Sequence, residues 1–235
     1  MACSVDSSLG AMLLPGVLSV TAGSVDVISF LRLGGLFTAH ITGNLVVLAS
    51  HVVTGRVAPL SQILSVPIFI AVLALTRLAA AGLEESRHGS LRPLLALQFV
   101  LLASFLTICV SAGLGLDPAA PTAVVAGMLG VAAMAVQNAL VQISLVGAPA
   151  TAVMTTDVTA IVMDVGAMLF QRDPDGRARA SSRAKRTWPA VVGFTVGCGL
   201  GAVLDVVIGP WSLALPTGLA FLALALALSV KRSPG

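Results

Sequence analysis

The charged residues of this chain are gathered into a few short clusters, and the stretches between them stay apolar for about 20 residues at a time. Most charges fall in Glu84 to Arg92, Arg172 to Arg186 and Lys231-Arg232. Stretches of that length cross a hydrocarbon core as α-helices, so the pattern predicts an all-α integral membrane protein. Charged residues are only 10% of the 235 and hydrophobic ones 57%, against roughly 25% charged in a soluble domain. A soluble fold of this size lacks the Lys and Glu to cover its surface. Alternation of period two is absent, which argues against a membrane β-barrel.

About eight transmembrane helices are expected, near 10–31, 36–55, 62–83, 92–114, 121–145, 148–170, 187–208 and 211–230. Gly and Pro punctuate several of the breaks, as in Leu33-Gly34-Gly35, Asp117-Pro118, Gly147 and Gly209-Pro210. The breaks after the first and fifth spans are tight. Each leaves room for a re-entrant hairpin, tolerated where protein buries it, so six spans plus two re-entrant hairpins is the alternative architecture. Residues 1–10 carry no Lys or Arg, so the first apolar segment is expected to belong to the mature fold and not to a cleaved signal. Cys3, Cys109 and Cys198 have no CxxC spacing and read as apolar fillers.

With eight spans, Arg56, the six basic residues of a loop at 171–188, and Lys231-Arg232 share one side. Arg32, Arg87 and Arg92 fall on the other. The positive-inside rule then places both termini and the basic loop in the cytoplasm. That loop reads as a topology signal, and no nucleic-acid partner is expected.

Two halves, 1–115 and 116–235, read as related four-element repeats. Gly16, Leu18, Val20, Ala22 and Val25 match Gly127, Leu129, Val131, Ala133 and Val136 at one offset. Pro67, Leu78, Ser90, Leu91, Leu97 and Phe99 match Pro189, Leu200, Ser212, Leu213, Leu219 and Phe221 at another. Tandem repeats of this kind build small-solute transporters, with the site between the repeats.

Polar residues inside the spans are the candidates for function, since a charge at a helix centre costs about 3 kcal/mol on an insertion scale. Asp26, His40, Asn44, Gln137, Asn138 and Asp157 are the candidates for binding substrate or protons. Asp26 and Arg77 could form a buried ion pair whose role is packing. His40, Asn44 and His51 line one helical face, and Asp157 and Asp164 another. The repeat alignment sets Asp157 opposite His40 and Asp26 opposite Gln137. Gly193, Gly197 and Gly201 form a small-residue ridge for close helix packing, within the monomer or across a homodimer. Neither HExxH nor GxSxG occurs. No enzyme, cofactor or metal site is expected.

Ala22-Gly23-Ser24-Val25-Asp26, Leu33-Gly34-Gly35-Leu36-Phe37-Thr38-Ala39-His40-Ile41-Thr42-Gly43-Asn44, Met134-Ala135-Val136-Gln137-Asn138 and Thr155-Thr156-Asp157-Val158-Thr159 together carry a resemblance. With them the chain resembles the YoaK-like family of uncharacterised bacterial multi-pass membrane proteins, over nearly its whole length. The resemblance implies a bacterial inner-membrane location and a helical bundle, and no substrate. This chain departs from the family at Thr159-Ala160, where Thr-Gly is usual, and at Asp157.

Two functions fit these residues. One is a secondary transporter or permease for a small solute, coupled to protons through Asp26, His40 or Asp157, with the lipid bilayer as its surroundings. The other is a non-transporting interaction or scaffold protein that assembles through its glycine ridges and basic loop.

Overall fold

The computed structural model describes residues 9–84, 90–113, 116–145, 147–152 and 154–229. The Arg87 and Lys231-Arg232 assignments lie outside these residues. The described chain is all helical: α1 (Leu9–Arg32), α2 (Ile41–Val53), α3 (Leu60–Glu84), α4 (Leu91–Ala112), α5 (Pro121–Ser144), α6 (Met154–Phe170), α7 (Pro174–Ile208) and α8 (Ala214–Ser229). A 3-10 turn at Gly209–Leu213 joins the last two. Five helical stretches are long and apolar enough to cross a membrane: Leu13–Arg32, Leu60–Gly82, Leu91–Ala112, Pro121–Ser144 and the continuous Pro174–Ser229. The protein is a helical bundle of membrane type.

The ends of the helices sort into two groups. At the proximal end, where α1 begins, Ser90 at the start of α4 is 3.0 Å from Ser144 at the end of α5. There too Arg92 donates to the Ala227 carbonyl near the end of α8 at 3.0 Å. At the distal end, Gln62 in the first turn of α3 donates to the Gly34 carbonyl just after α1, at 3.1 Å. Pro118, before α5, lies against Gly34, and Arg32 pairs with Asp205 in the last turn of α7. So α1, α4 and α7 run from proximal to distal, while α3, α5 and α8 return.

Two buried apolar clusters follow the same division. Leu14, Leu18, Leu95, Leu140, Leu145 and Ala227 belong to the proximal one. Ile28, Leu33, Leu36, Phe105, Ala123 and Leu213 belong to the distal one. The central helix is α5, whose residues from Gly130 to Gln137 are all buried.

The expected crossing over 36–55 is not built as one. The helix there has 13 residues, about 20 Å at 1.5 Å per residue, against a hydrocarbon core of about 30 Å. It starts beside Asp26, about 9 Å short of the distal end of α1. From Val53 the chain reaches Leu60 within at most about 24 Å, so α2 cannot run on to the proximal end and still deliver α3 to Gly34. Its far end stays toward the distal end of the bundle. The segment after α5 turns inward from the proximal end: Leu145 lies in the proximal cluster, yet Ala152 packs in the distal one. From there α6 returns along α7. The local reason is glycine: Gly34, Gly35 and Gly147 adopt φ of 65°, 84° and 83°, left-handed values that let the chain double back within two residues.

Contacts between elements recur at an interval of four. α1 packs on α7 and α8 as α5 packs on α3 and α4, and α2 rests on α3 as α6 rests on α7. The Gly193–Gly197–Gly201 ridge lies within the monomer, against α1. A Cβ on Gly197 would stand 2.3 Å from the Val20 carbonyl oxygen, and one on Gly23 2.2 Å from that of Phe194. Only hydrogens fit between these two backbones.

Candidate functional site

The loops before α2 and before α6 are each tied by a polar side chain from the preceding long helix. Asp26 is 4% exposed. Its Oδ1 accepts the backbone N–H groups of Thr38 and Ala39, both at 2.8 Å, and of His40 at 3.4 Å. These amides lie just ahead of α2, whose cap residue is His40, and have no partner in that helix. His40 Nδ1 lies 2.8 Å from the second Asp26 oxygen. Asn44 completes the arrangement, donating to the Phe37 carbonyl at 2.7 Å and accepting the Phe37 N–H at 2.9 Å. The motif residues Asp26, His40 and Asn44 thus form one network, which wraps the non-helical residues 37–40. His40 keeps about a third of its side chain exposed, 36%, and its ring meets Phe194 of α7 edge-on at 5.1 Å.

In the second half Gln137, fully buried, has the corresponding position. Its amide donates to Thr151 Oγ1 and to the Leu18 carbonyl, both at 2.9 Å. Gln98 of α4 donates to its carbonyl oxygen at 2.6 Å. Asp26 and His40 are 14 residues apart, and so are Gln137 and Thr151. The residue that Gln137 holds is thus Thr151, in the loop before α6, while Asp157 lies in the first turn of α6.

The other candidates are dispersed. Asp157 is 5% exposed, and its Oδ2 has no hydrogen-bond partner. Asn138 bonds only within its own helix, to the Met134 carbonyl at 2.9 Å. The Asp26–Arg77 pair does not form: Arg77 is exposed on α3, and Asp26 faces His40. Asp164 pairs with Arg183 of α7 at 3.0 and 2.5 Å. His51 lies in the last turn of α2 with its Nδ1 unpartnered. Among the described residues no three metal-ligating side chains come together.

A family model described as "Protein of unknown function (DUF1275)" matches residues 14–226, from the first turns of α1 into the last turns of α8. The chain belongs to this family. Membership in DUF1275 spans both anchored loops and assigns no activity. No curated protein and no solved structure matches the chain.

Sequence reasoning missed the charged pair between α1 and α7. Arg32 counted only toward orientation and Asp205 drew no notice, yet they meet between α1 and α7 with side chains 14% and 13% exposed. The signal that was available is an acidic residue, Asp205, inside a predicted span.

Proposed function

We propose that this chain is a secondary transporter or permease for a small solute in a bacterial inner membrane. In this reading α1, α3, α4, α5, α7 and α8 cross the bilayer, α2 and α6 are re-entrant, and the two four-element halves are inverted repeats. One observation supports it: two loops enter from opposite ends, and each is tied, about 10 Å inside its own end of the bundle, by a buried polar side chain of the preceding helix. Interrupted helices at the midplane of inverted repeats are where such transporters bind solute, because backbone there is free of helical hydrogen bonds yet shielded from lipid. Asp157 is the group best placed to carry a proton, since one oxygen of its buried carboxylate has no protein partner. Asp26 and His40 are engaged with each other and hold the loop.

Orientation follows from charge. Arg77, Arg92 and the basic residues at 171–188 fall toward the proximal end, and Arg32 and Arg56 toward the distal one, so the proximal end with both termini is cytoplasmic. This moves Arg56 out of the cytoplasm and Arg92 into it, relative to an eight-span reading. Arg56→Cys and Ser182→Cys, each in a background without the native cysteines, separate the two. A membrane-impermeant maleimide applied to intact cells should label Arg56→Cys and leave Ser182→Cys unlabelled until lysis. Equal labelling of both before lysis contradicts the re-entrant reading.

Transport itself is tested with purified protein in liposomes on a sensor electrode. Amino acids, sugars, organic anions, organic cations and nucleosides are applied in turn under an imposed pH gradient. At least one class should evoke a transient current that Asp157→Asn abolishes while the protein stays folded. Silence across the panel from folded, correctly inserted protein overturns the transporter reading.

A further inference from the structure

At the distal end, between the ends of α1, α4 and α7, lies a cavity of about 340 Å³ lined by Leu31, Arg32, Cys109, Leu116, Pro118 and Asp205 among others. That is within the roughly 300–1,000 Å³ typical of small-molecule sites. We propose that this cavity binds a small zwitterion of amino-acid size, through its carboxylate at Arg32 and its ammonium group at Asp205. The cavity is separate from the two anchored loops, so the proposal goes beyond the transporter reading, on which its physiological sense rests.

The charged pair leaves its solvent-facing atoms unused. Arg32 reaches Asp205 Oδ1 through Nε alone, and Ser212 donates to the same oxygen at 3.1 Å. Asp205 Oδ2 and the two terminal nitrogens of Arg32 have no hydrogen-bond partner among the described residues, and none of them is sealed inside the protein. Both groups line the cavity. Free guanidinium nitrogens present a planar fork suited to a carboxylate, and the free oxygen beside them accepts from an ammonium group.

Charge balance selects among ligands. The Arg32–Asp205 pair is neutral as a unit. A simple anion on Arg32 would lie against the Asp205 carboxylate with nothing to offset that repulsion. A simple cation on Asp205 would meet the guanidinium likewise. A zwitterion sets one opposite charge against each member and adds no net charge to a partly apolar recess, where an uncompensated ion is costly. Leu31, Leu116 and Pro118 supply the apolar wall against which the solute side chain can lie.

The test uses the full-length protein in detergent, with binding followed by calorimetry and by thermal melting. Probes are the protein amino acids and, for any that binds, its methyl ester and its N-acetyl derivative, which lack one charge each. An amino acid is expected to bind and raise the melting temperature, and each blocked derivative to bind at least about tenfold more weakly, the loss of one charge-assisted contact. Leu116→Trp fills the cavity without touching either charge, and should remove binding while the unliganded protein still melts cooperatively. Absence of binding by every amino acid, or equal binding of parent and blocked derivatives, overturns the proposal; so does unchanged binding by Leu116→Trp. Binding without flux in liposomes keeps this site and defeats the transporter reading. Flux confined to solutes lacking one of the two charges does the reverse.

Discussion

Gly23→Ala is expected to lower the melting temperature sharply or prevent folding altogether, and Gly197→Ala to do the same. In each case the new methyl group would lie within 2.3 Å of a backbone carbonyl oxygen on the facing helix. Backbone cannot swing aside as a side chain does, so α1 and α7 must separate along their whole shared length. Overpacking a close contact typically costs about 1–3 kcal/mol, and here both walls are helix backbone, so the upper part of that range applies. Gly199→Ala is the control: nothing lies within 4 Å of its added Cβ. It should leave the melt unchanged or raise it slightly, since alanine suits a helix interior better than glycine by about 1 kcal/mol. If all three variants melt alike in detergent, α1 and α7 do not approach as described.

Asp26→Ala should be nearly as damaging, for an electrostatic reason. Removing the carboxylate strands the N–H groups of Thr38, Ala39 and His40 and leaves His40 Nδ1 without its partner. An orphaned buried donor costs about 1–3 kcal/mol, and two are stranded at Thr38 and Ala39, so a loss on the order of 3 kcal/mol is expected. Asp26→Asn keeps an oxygen for the backbone amides and offers an N–H to the imidazole, so it should melt much closer to the native protein. The contrast between the two variants is the measurement. Equal, native-like melts for both would remove the anchoring role of Asp26. A cooperative Asp26→Asn protein that loses pH-dependent uptake would restore to Asp26 the proton-carrying role read from its burial alone.

Each anchored loop is held from two sides. Residues 37–40 are non-helical and tied to α1 from one side and to Asn44 from the other. The loop before α6 is held in the same two-sided way, by Gln137 at Thr151 and by Asp157 at the Ala150 backbone.

The sequence by itself determined that the chain is a helical membrane bundle, where its long helices lie, and which residues are too polar for lipid. Those properties are local: hydrophobic length and Gly/Pro punctuation are read along the chain. Asp26, His40 and Asn44 were legible because their motifs are compact and a buried charge stands out in an apolar span. The direction of α2 was not legible, because 36–55 is apolar enough to cross and only the hydrogen bond from Gln62 to Gly34 places the next helix back at the same end. The partner of Asp26 was equally hidden. Arg77 and His40 can both donate a hydrogen bond to a carboxylate, and spacing cannot distinguish them once the chain doubles back after α1. Arg32 and Asp205 are 173 residues apart. Their meeting depends on the glycines that let α1 and α7 run in parallel with their backbones in contact, and that is a property of the tertiary structure alone.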